Sequence, residues 1–378
     1  MNVLIVPAGS GQLDLIKYCL KKQHKVYTLD DDDNAIGHKY SNNKLNLHTS
    51  EIKDLKRFVH EKNAKILTVA SDFGIFLRSK ILSNNVNHKK FINLQNKFNQ
   101  KLKWCKLYNL PLPQKVHNIS YLTKEKKYII KPIFGRGSKN IFLIKSKKEA
   151  FDLKNKINKK EFFIEPFIRG KEYTFEGFKL NKKITFFMIT KKEKTYFSVS
   201  HLIYNHDLSF GILEESKNKI SNFITKINYP DGPFHAELII EKNNINLVEV
   251  HPRCIGYNIY TNIIQKIAGI DLLNLEIKLA CKRKINHLKI KKKFKYFCFR
   301  FFKIKKNGKL KKICIKKKKV KNVRLFYKLF FKKDDYVNFS QTDSSRFGYI
   351  YALTNRKIDL LNLTRKIENK DFKIKYYE

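Results

Sequence analysis

The length of 378 residues exceeds the usual size of a single hydrophobic core, so we expect two or three packed subdomains. Hydrophobic residues make up 42% of the chain, which excludes a disordered protein, and no apolar run approaches the roughly 20 residues that a membrane helix needs. The formal net charge of +47 is typical of a nucleic-acid-binding protein. However, Lys is spread almost evenly along the chain and occurs beside abundant Asn and Ile, as expected of an AT-rich coding sequence. We therefore attribute the charge to this compositional bias.

The N-terminal residues and the cysteines indicate the compartment. Met1 to Pro7 contain neither a basic leader nor a small-residue cleavage site, so we expect no secretory signal. The six cysteines include no CxxC pair, which favours reduced and mostly buried thiols over a zinc site or a disulfide framework. We therefore expect a cytoplasmic protein without a membrane partner.

Strand and helix patterns alternate at the beginning of the chain. Val3 to Val6 reads as a buried strand, a glycine turn follows at Gly9-Ser10-Gly11, and Leu13 to Leu20 reads as a helix. A strand, a glycine turn, a helix and a second strand in this order are typical of a doubly wound α/β sheet. The sequence therefore predicts a Rossmann-like domain over residues 1–94.

The pattern changes after this first domain. A helix is predicted from Lys97 to Tyr108, and paired strands then indicate an α+β lid over about residues 126–185. Leu202 to Pro230 reads as irregular, and we expect loops there to help select the substrate. The prediction is a central domain over residues 95–285 and a small β-rich C-terminal domain over residues 286–378.

The first chemical motif is a glycine-containing loop that follows a strand ending at Lys131. Gly135 and Gly137 allow backbone N–H groups to approach a polyphosphate closely, and Ser138 adds another donor. The next residues, Ile141 to Ile144, read as a strand and not as a helix, so this is not a Walker A loop. Taken alone, the pattern favours a simple turn.

The second motif follows a strand that delivers Glu165 into a short connection. A glycine turn at Gly170 and the acid Glu172 come next. This arrangement could present backbone groups to an adenine and a carboxylate to ribose hydroxyls. A solvated turn with two surface acids has the same pattern, so the motif alone leaves both interpretations open.

The third motif is a predicted hairpin. Because side chains alternate along a strand, His235 shares a face with Glu237, and Glu249 shares a face with His251. A three-residue turn over Lys242 to Asn244 would place Glu237 directly opposite Glu249. Two facing carboxylates repel each other, and a hard divalent cation such as Mg²⁺ removes that cost. If one acid points to water instead, no metal is needed.

Together, in this order and spacing, the three motifs resemble the ATP-grasp superfamily over residues from about 95 to 285, and residues 1–94 resemble the domain that usually precedes it. The resemblance implies that the chain binds ATP and Mg²⁺, with Mn²⁺ as an alternative metal. It implies Lys131 and Arg253 as catalytic residues, with Arg253 stabilising the acyl phosphate and the transition-state charge. For ATP binding it implies Lys97, Lys131, Gly135, Gly137, Ser138, Glu165, Phe167, Ile168 and Glu172.

The metal ligands are also implied by the resemblance. Glu237 and Glu249 would bind Mg²⁺, and His251 occupies a position where family members often have Asn. An imidazole is a poorer magnesium ligand than an amide oxygen, so the resemblance leaves the third ligand open.

The implied activity is that of a ligase that activates a small carboxylate, for example an amino acid, as an acyl phosphate and joins it to an amine, releasing ADP and phosphate. Residues 286–378 are similar to the C-terminal β domain of carboxylate–amine ligases, including amino acid ligases and biotin carboxylase relatives. A bicarbonate-dependent carboxylase is the alternative. The expected partners are small-molecule substrates and no specific nucleic acid, and a homodimer is compatible with the resemblance.

Two other classes of protein compete with this interpretation. A dehydrogenase is indicated by Gly9-Ser10-Gly11 followed by Asp30 about 20 residues later, which is close to the spacing of a dinucleotide-binding motif. However, Asp14 occupies the position of the third glycine, where its negative charge would lie near the pyrophosphate. A basic nucleic-acid-binding protein without catalysis needs aromatic residues interleaved with basic residues on one surface. It also leaves Glu237 and Glu249 unexplained.

Overall fold

The computed structural model describes residues 1–82, 93–116, 126–135, 139–195, 198–204, 207–256, 259–286, 288–316, 319–339 and 346–377. Among these residues, no helix is long and apolar enough to cross a membrane. The six cysteines form no disulfide among the described residues, and four of them are buried, as expected of mostly buried thiols.

The chain begins with a small parallel sheet flanked by helices. Its elements are β1 (Asn2–Ile5), α1 (Leu13–Lys21), β2 (Lys25–Thr28), β3 (Asn43–Lys44), α2 (Ile52–Glu61), β4 (Lys65–Leu67) and α3 (Asp72–Ile81). The strand order is β3-β2-β1-β4, and all pairs are parallel. The central strand β1 is almost wholly buried, as expected of a sheet covered on both faces. The α/β fold predicted for this part is confirmed.

The glycine loop after β1 is fixed by Asp30. Oδ2 of Asp30 accepts a hydrogen bond from the backbone N–H of Ala8 at 2.8 Å, and Oδ1 accepts one from Asp32 at 3.1 Å. A dinucleotide site would need this carboxylate for the ribose hydroxyls. In this structure the carboxylate of Asp30 holds the backbone of the loop.

An antiparallel four-stranded sheet follows. Its region comprises α4 (Lys97–Leu107), β5 (Gln114–Lys115), β6 (Tyr128–Pro132), β7 (Phe142–Ile144), α5 (Lys147–Lys154) and β8 (Phe162–Pro166). The strand order is β5-β8-β6-β7. Ile130 and Ile164 pair at its centre and belong to its own hydrophobic core, while Lys131 lies opposite Phe163. The sheet therefore holds Lys131 beside β8.

A large antiparallel sheet forms the centre of the molecule. Its first part contains β9 (Lys171–Leu180), β10 (Lys183–Thr195), β11 (Ser198–Tyr204), α6 (Phe210–Lys226), β12 (Gly232–Glu241), β13 (Asn244–His251), α7 (Ile264–Ala268) and α8 (Leu272–Ala280). The helix α6 corrects the expectation of loops over residues 202–230. Ile220, Phe223 and Ile224, at helical spacing, are its buried residues, and Ser209 caps its first turn.

The C-terminal part contributes to two sheets. Its elements are β14 (Tyr296–Lys303), β15 (Gly308–Ile315), β16 (Arg324–Leu329), β17 (Tyr336–Val337), β18 (Arg346–Thr354), α9 (Leu360–Lys366) and β19 (Phe372–Tyr376). The large sheet has the order β13-β12-β9-β10-β11-β14-β18-β16 and thus joins strands from both sides of the predicted boundary at 285/286. A separate small sheet has the order β17-β15-β19. The domain boundaries stay predictions.

Candidate active site

The two predicted glutamates face each other across the hairpin of β12 and β13. Glu241 pairs with Asn244, so the turn has two residues and not the three expected. The register shifts beyond Glu237, where Val248 is an extra residue on β13. Because this bulge compensates for the shorter turn, Glu237 pairs with Glu249, and the predicted juxtaposition is confirmed.

A row of polar side chains crosses four neighbouring strands of the large sheet. Thr174 on β9 lies opposite Glu237 on one side and opposite Thr190 on the other. The hydroxyl oxygens of the two threonines are 2.6 Å apart. Since directly opposite residues point to the same side of a sheet, this row continues through Glu237 to Glu249. The sheet therefore presents one polar face.

Lysine ammonium groups neutralise the two facing carboxylates. Nζ of Lys192 is 2.7 Å from Oε2 of Glu237, and Nζ of Lys97 is 2.6 Å from Oε2 of Glu249. Burial raises the pKa of Glu249, but His251 and Lys97 outweigh burial and hold that pKa well below its ordinary value. Both carboxylates are therefore ionised, and the lysines offset their repulsion.

Lys192 also links the predicted ribose residue to the predicted metal residue. Its Nζ is 2.5 Å from Oε1 of Glu172 in addition to its contact with Glu237, and Lys194 contacts Glu172 as well. Burial lowers the pKa of Lys192, but Glu172 and then Glu237 raise it above its ordinary value. Sequence reasoning missed Lys192. The alternation of Lys192 and Lys194 on one face of β10 was the available signal.

Glu165 forms a second buried cluster with two lysines. Its Oε1 is 2.6 Å from Nζ of Lys131, and its Oε2 is 3.3 Å from Nζ of Lys101. Lys101 also donates to the backbone carbonyl of Leu247 at 2.7 Å. Burial raises the pKa of Glu165, but Lys101 and Lys131 lower it below its ordinary value. Lys101 was missed, although its spacing of four residues from Lys97 places both on one face of α4.

His235 lies between two carboxylates. Its Nε2 is 2.8 Å from Oε1 of Glu237, and its Nδ1 contacts Glu176. Glu176 is fully buried and accepts a hydrogen bond from the backbone N–H of Ile255 at 3.0 Å. Burial lowers the pKa of His235, but Glu176 and Glu237 raise it to about 9. Glu176 was also missed, although it shares a face of β9 with Glu172.

Asp72 at the beginning of α3 holds both His251 and Arg253. Arg253 donates through Nε and Nη2 to the two carboxylate oxygens at 2.8 and 2.9 Å, and through Nη1 to the carbonyl of Cys254 at 3.1 Å. Nδ1 of His251 is 3.1 Å from Oδ1 of Asp72, and its Nε2 is 2.9 Å from Glu249. Burial lowers the pKa of His251, but the two carboxylates raise it. Both ring nitrogens of His251 thus lie beside carboxylate oxygens, and ligation of a metal by His251 stays a prediction.

Three further residues predicted to bind ATP, Gly135, Phe167 and Ile168, lie at the ends of β6 and β8. Phe167 and Ile168 follow β8 and are partly buried, and the backbone N–H of Phe167 donates to the carbonyl of Lys127 at 2.8 Å. Gly135 is exposed after β6, whereas Gly137 and Ser138 lie outside the described residues. The contacts above join Lys97, Glu172, Glu237, Glu249 and His251 in one cluster. Lys131 and Glu165 belong to the second cluster.

A cavity of about 710 Å³ opens beside Arg253. Its walls come from α2, β4, α3, α8 and the segment before β12, and they include the salt bridge of 2.6 Å between Arg78 and Glu276. The described lining residues include the predicted catalytic residue Arg253 but none of the residues predicted to bind ATP or metal. The cavity is therefore not the nucleotide site that the sequence predicts.

One part of this chain matches a known protein family in sequence, and the whole chain is similar in fold to known structures. The family described as ATP-grasp domain matches residues 125–262. The L-amino acid ligase from Bacillus licheniformis has a TM-score of 0.81 at 15% identity, with 100% of this chain and 99% of that chain covered. Phosphoribosylglycinamide synthetase from Anaerococcus prevotii has a TM-score of 0.76 at 18% identity, with 100% and 99% covered.

A carboxylase has a similar fold as well. The biotin carboxylase-beta-gamma-ATP complex from Campylobacter jejuni has a TM-score of 0.74 at 14% identity, with 99% of this chain and 92% of that chain covered. The sequence of the chain matches none of the curated proteins. Residues 125–262 therefore match an ATP-grasp domain, and the whole chain shares its fold with these solved structures.

Proposed function

We propose that the chain is an ATP- and Mg²⁺-dependent ligase that activates a small carboxylate as an acyl phosphate for attack by an amine and releases ADP. One observation carries this proposal. Four mostly buried ammonium groups are paired with carboxylates in two clusters. Lys97 and Lys192 pair with Glu249 and Glu237 on the polar face of the large sheet, and Lys101 and Lys131 pair with Glu165 on β8 of the four-stranded sheet. The similar structures named as a ligase and a synthetase support the class of reaction.

The donor set fits Mg²⁺ in part. Glu237 and Glu249 offer hard carboxylate oxygens from directly paired strand positions, which Mg²⁺ prefers. Among the described residues, no group of three or more His, Cys, Asp and Glu side chains forms a complete metal site. Glu237 and Glu249 would therefore share the ion with nucleotide phosphates and water, as Mg²⁺ sites commonly do.

The lysines exchange partners in this proposal. Lys97 now neutralises Glu249 and Lys131 neutralises Glu165, so each ammonium is already desolvated and held in place. The nucleotide supplies the phosphoryl group, and Mg²⁺ neutralises the charge that develops on it. Lys97 and Lys131 would hold the phosphates, and Glu249, released from Lys97, would hold Mg²⁺ together with Glu237. The paired state thus prevents buried carboxylates from standing unneutralised before the substrates bind.

Other residues orient the substrates. Glu172 binds the ribose hydroxyls, and residues 165–168 line the adenine. Arg253 binds the acyl phosphate through the N–H groups of Nη1 and Nη2 that Asp72 and Cys254 leave open, while Asp72 fixes the guanidinium plane by its bidentate contact. A planar group held in this way is suited to stabilise developing charge without reorganisation.

Product analysis tests the reaction class. A screen for ADP release against pairs of small carboxylates and amines, amino acids first, is expected to find a pair that gives stoichiometric ADP and phosphate. We expect no AMP, because the predicted cationic groups surround the terminal phosphates. Stoichiometric AMP and pyrophosphate would contradict the mechanism.

Glu249→Gln tests the metal role with little change of shape. We expect ADP release to fall at least about 100-fold, since the amide is a weaker Mg²⁺ ligand and carries no charge. Glu241→Gln on the same hairpin, at the turn, is the matched control and is expected to stay within about twofold. Equal rates in the two variants would exclude Glu249 as a metal ligand. Alanine is less informative here because it also removes the side-chain oxygen that Lys97 contacts, which glutamine keeps.

A bicarbonate-dependent carboxylase is the second candidate. The similarity to a biotin carboxylase favours it, and its first step would use the same phosphate and metal residues. ADP release that depends on bicarbonate and not on another carboxylate would select this candidate.

A further inference from the structure

The net charge of the chain is concentrated near its C-terminus. Residues 281–378 contain 32 Lys and Arg against 7 Asp and Glu, whereas residues 1–280 contain 48 against 26. About a quarter of the chain therefore carries more than half of the net charge of +47. A uniform compositional bias does not produce this difference, and the expectation of evenly spread Lys was wrong.

The small sheet β17-β15-β19 displays part of this charge on its outward face. Lys312 pairs directly with Lys375, and Lys373 pairs with Cys314, so the three lysines share one side of the sheet. All three are exposed. Among the described residues, no carboxylate forms a salt bridge with any of them. Because like charges in directly opposite positions destabilise a sheet, this face would be relieved by a bound anion.

Exposed aromatic rings lie between the basic residues of the same sheet. Tyr336 on β17 pairs with Lys309 on β15. On the other side of β15, the backbone N–H of Tyr377 donates to the carbonyl of Lys309 at 2.9 Å. The Tyr336 side chain is 62% exposed and that of Tyr377 is 39% exposed. Nζ of Lys309 and of Lys311 lie 5.7 and 5.9 Å from the centroid of the Tyr377 ring. The surface thus alternates rings and ammonium groups.

We propose that this sheet binds single-stranded nucleic acid without sequence preference, through a surface separate from the proposed active site. Ammonium groups neutralise the phosphates, and exposed tyrosine rings stack on unpaired bases, which every base permits. A lipid surface would favour aromatic residues with apolar neighbours, whereas here the neighbours are charged. An acidic protein would use the lysines but would leave the exposed rings without a role.

Binding of labelled oligouridine and oligothymidine of about 20 nucleotides to the full chain tests the proposal, with a duplex of equal length beside them. We expect single strands to bind more tightly than the duplex. The affinity should fall steeply between about 50 and 200 mM salt. The comparison of the two oligonucleotides shows whether RNA or DNA binds more tightly. Equal binding of duplex and single strands would contradict the stacking role.

Charge removal on the sheet is compared with equal charge removal elsewhere. Lys312→Gln, Lys373→Gln and Lys375→Gln combined should reduce the slope of log affinity against log salt by about 2, at about 0.7 per lost phosphate contact. Lys21→Gln, Lys53→Gln and Lys62→Gln combined change three exposed lysines of the N-terminal region and form the control. An equal loss in both triple variants would show that only the total charge matters and would overturn the proposal.

Ring removal separates stacking from charge. Tyr336→Ala should weaken single-strand binding by about 5- to 150-fold. Tyr40→Ala is the matched control, because Tyr40 is 43% exposed and has Lys17 Nζ 4.5 Å from its ring centroid. Thermal unfolding confirms that each variant is folded. No difference between the two variants, or binding to phosphatidylserine vesicles in preference to oligonucleotides, would overturn the proposal.

Discussion

Lysines are used in opposite ways in two regions of this protein. On the polar face of the large sheet, Lys97 and Lys192 are mostly buried and lie 2.5–2.7 Å from glutamate oxygens. On the small C-terminal sheet, Lys312 and Lys375 are exposed and face each other. A buried ammonium is tolerated only with a partner, because the desolvation cost is several kcal/mol, whereas water solvates an exposed one. The partners of a lysine therefore say more about its role than its abundance does.

Lys192→Met should show the largest effect on stability. It removes the cation shared by Glu172 and Glu237 and leaves each buried carboxylate with one partner, Lys194 for Glu172 and His235 for Glu237. We therefore expect the free energy of unfolding to fall by about 3 kcal/mol. Lys182→Met, in the exposed turn between β9 and β10, is the control and should change it by less than about 0.5 kcal/mol. Denaturant unfolding measures both. A similar loss of unfolding free energy in both variants would mean that a buried, paired lysine stabilises the protein no more than an exposed one.

Glu165 provides a test by pH. Its pKa is lowered in the folded state, so its stabilising contribution is present above the unfolded pKa near 4.5 and is lost as the pH falls through the folded pKa. Glu165→Gln should therefore lower the free energy of unfolding at pH 7, on the order of 2 kcal/mol. The difference from the unmodified chain should shrink as the pH falls below about 4. A difference that is independent of pH would contradict the ionised cluster with Lys101 and Lys131.

Lys375→Glu should have the smallest effect on stability, and this effect should be stabilising. It replaces a like-charge pair with an opposite-charge pair across from Lys312, and we expect the free energy of unfolding to rise by about 0.2–1 kcal/mol at low salt. At about 1 M salt the gain should disappear, because exposed charges are screened. Lys375→Gln should give an intermediate value. A loss of stability in Lys375→Glu would show that this face is not limited by repulsion.

The local sequence pattern was sufficient for the strands and for the central hairpin. Alternation placed His235 with Glu237 and Glu249 with His251, and the observed pairing agrees. The turn was wrong by one residue, and the bulge at Val248 compensated for the error. Bulge positions depend on packing against β9 and cannot be recognised from alternation alone. The helix α6 was missed because only its second half presents a clear apolar stripe.

The sequence by itself determined the class of fold and the identity of the two facing carboxylates, because strand periodicity and residue chemistry are local properties. Only the tertiary structure decided which cations neutralise them. Lys192 meets Glu237 through a register set by β9, and Asp72 meets Arg253 across 181 positions of the chain. These contacts between residues far apart in the chain depend on the order in which the strands pack in the sheet. The same holds for the basic face of the small sheet, where β15 and β19 bring Lys312 opposite Lys375.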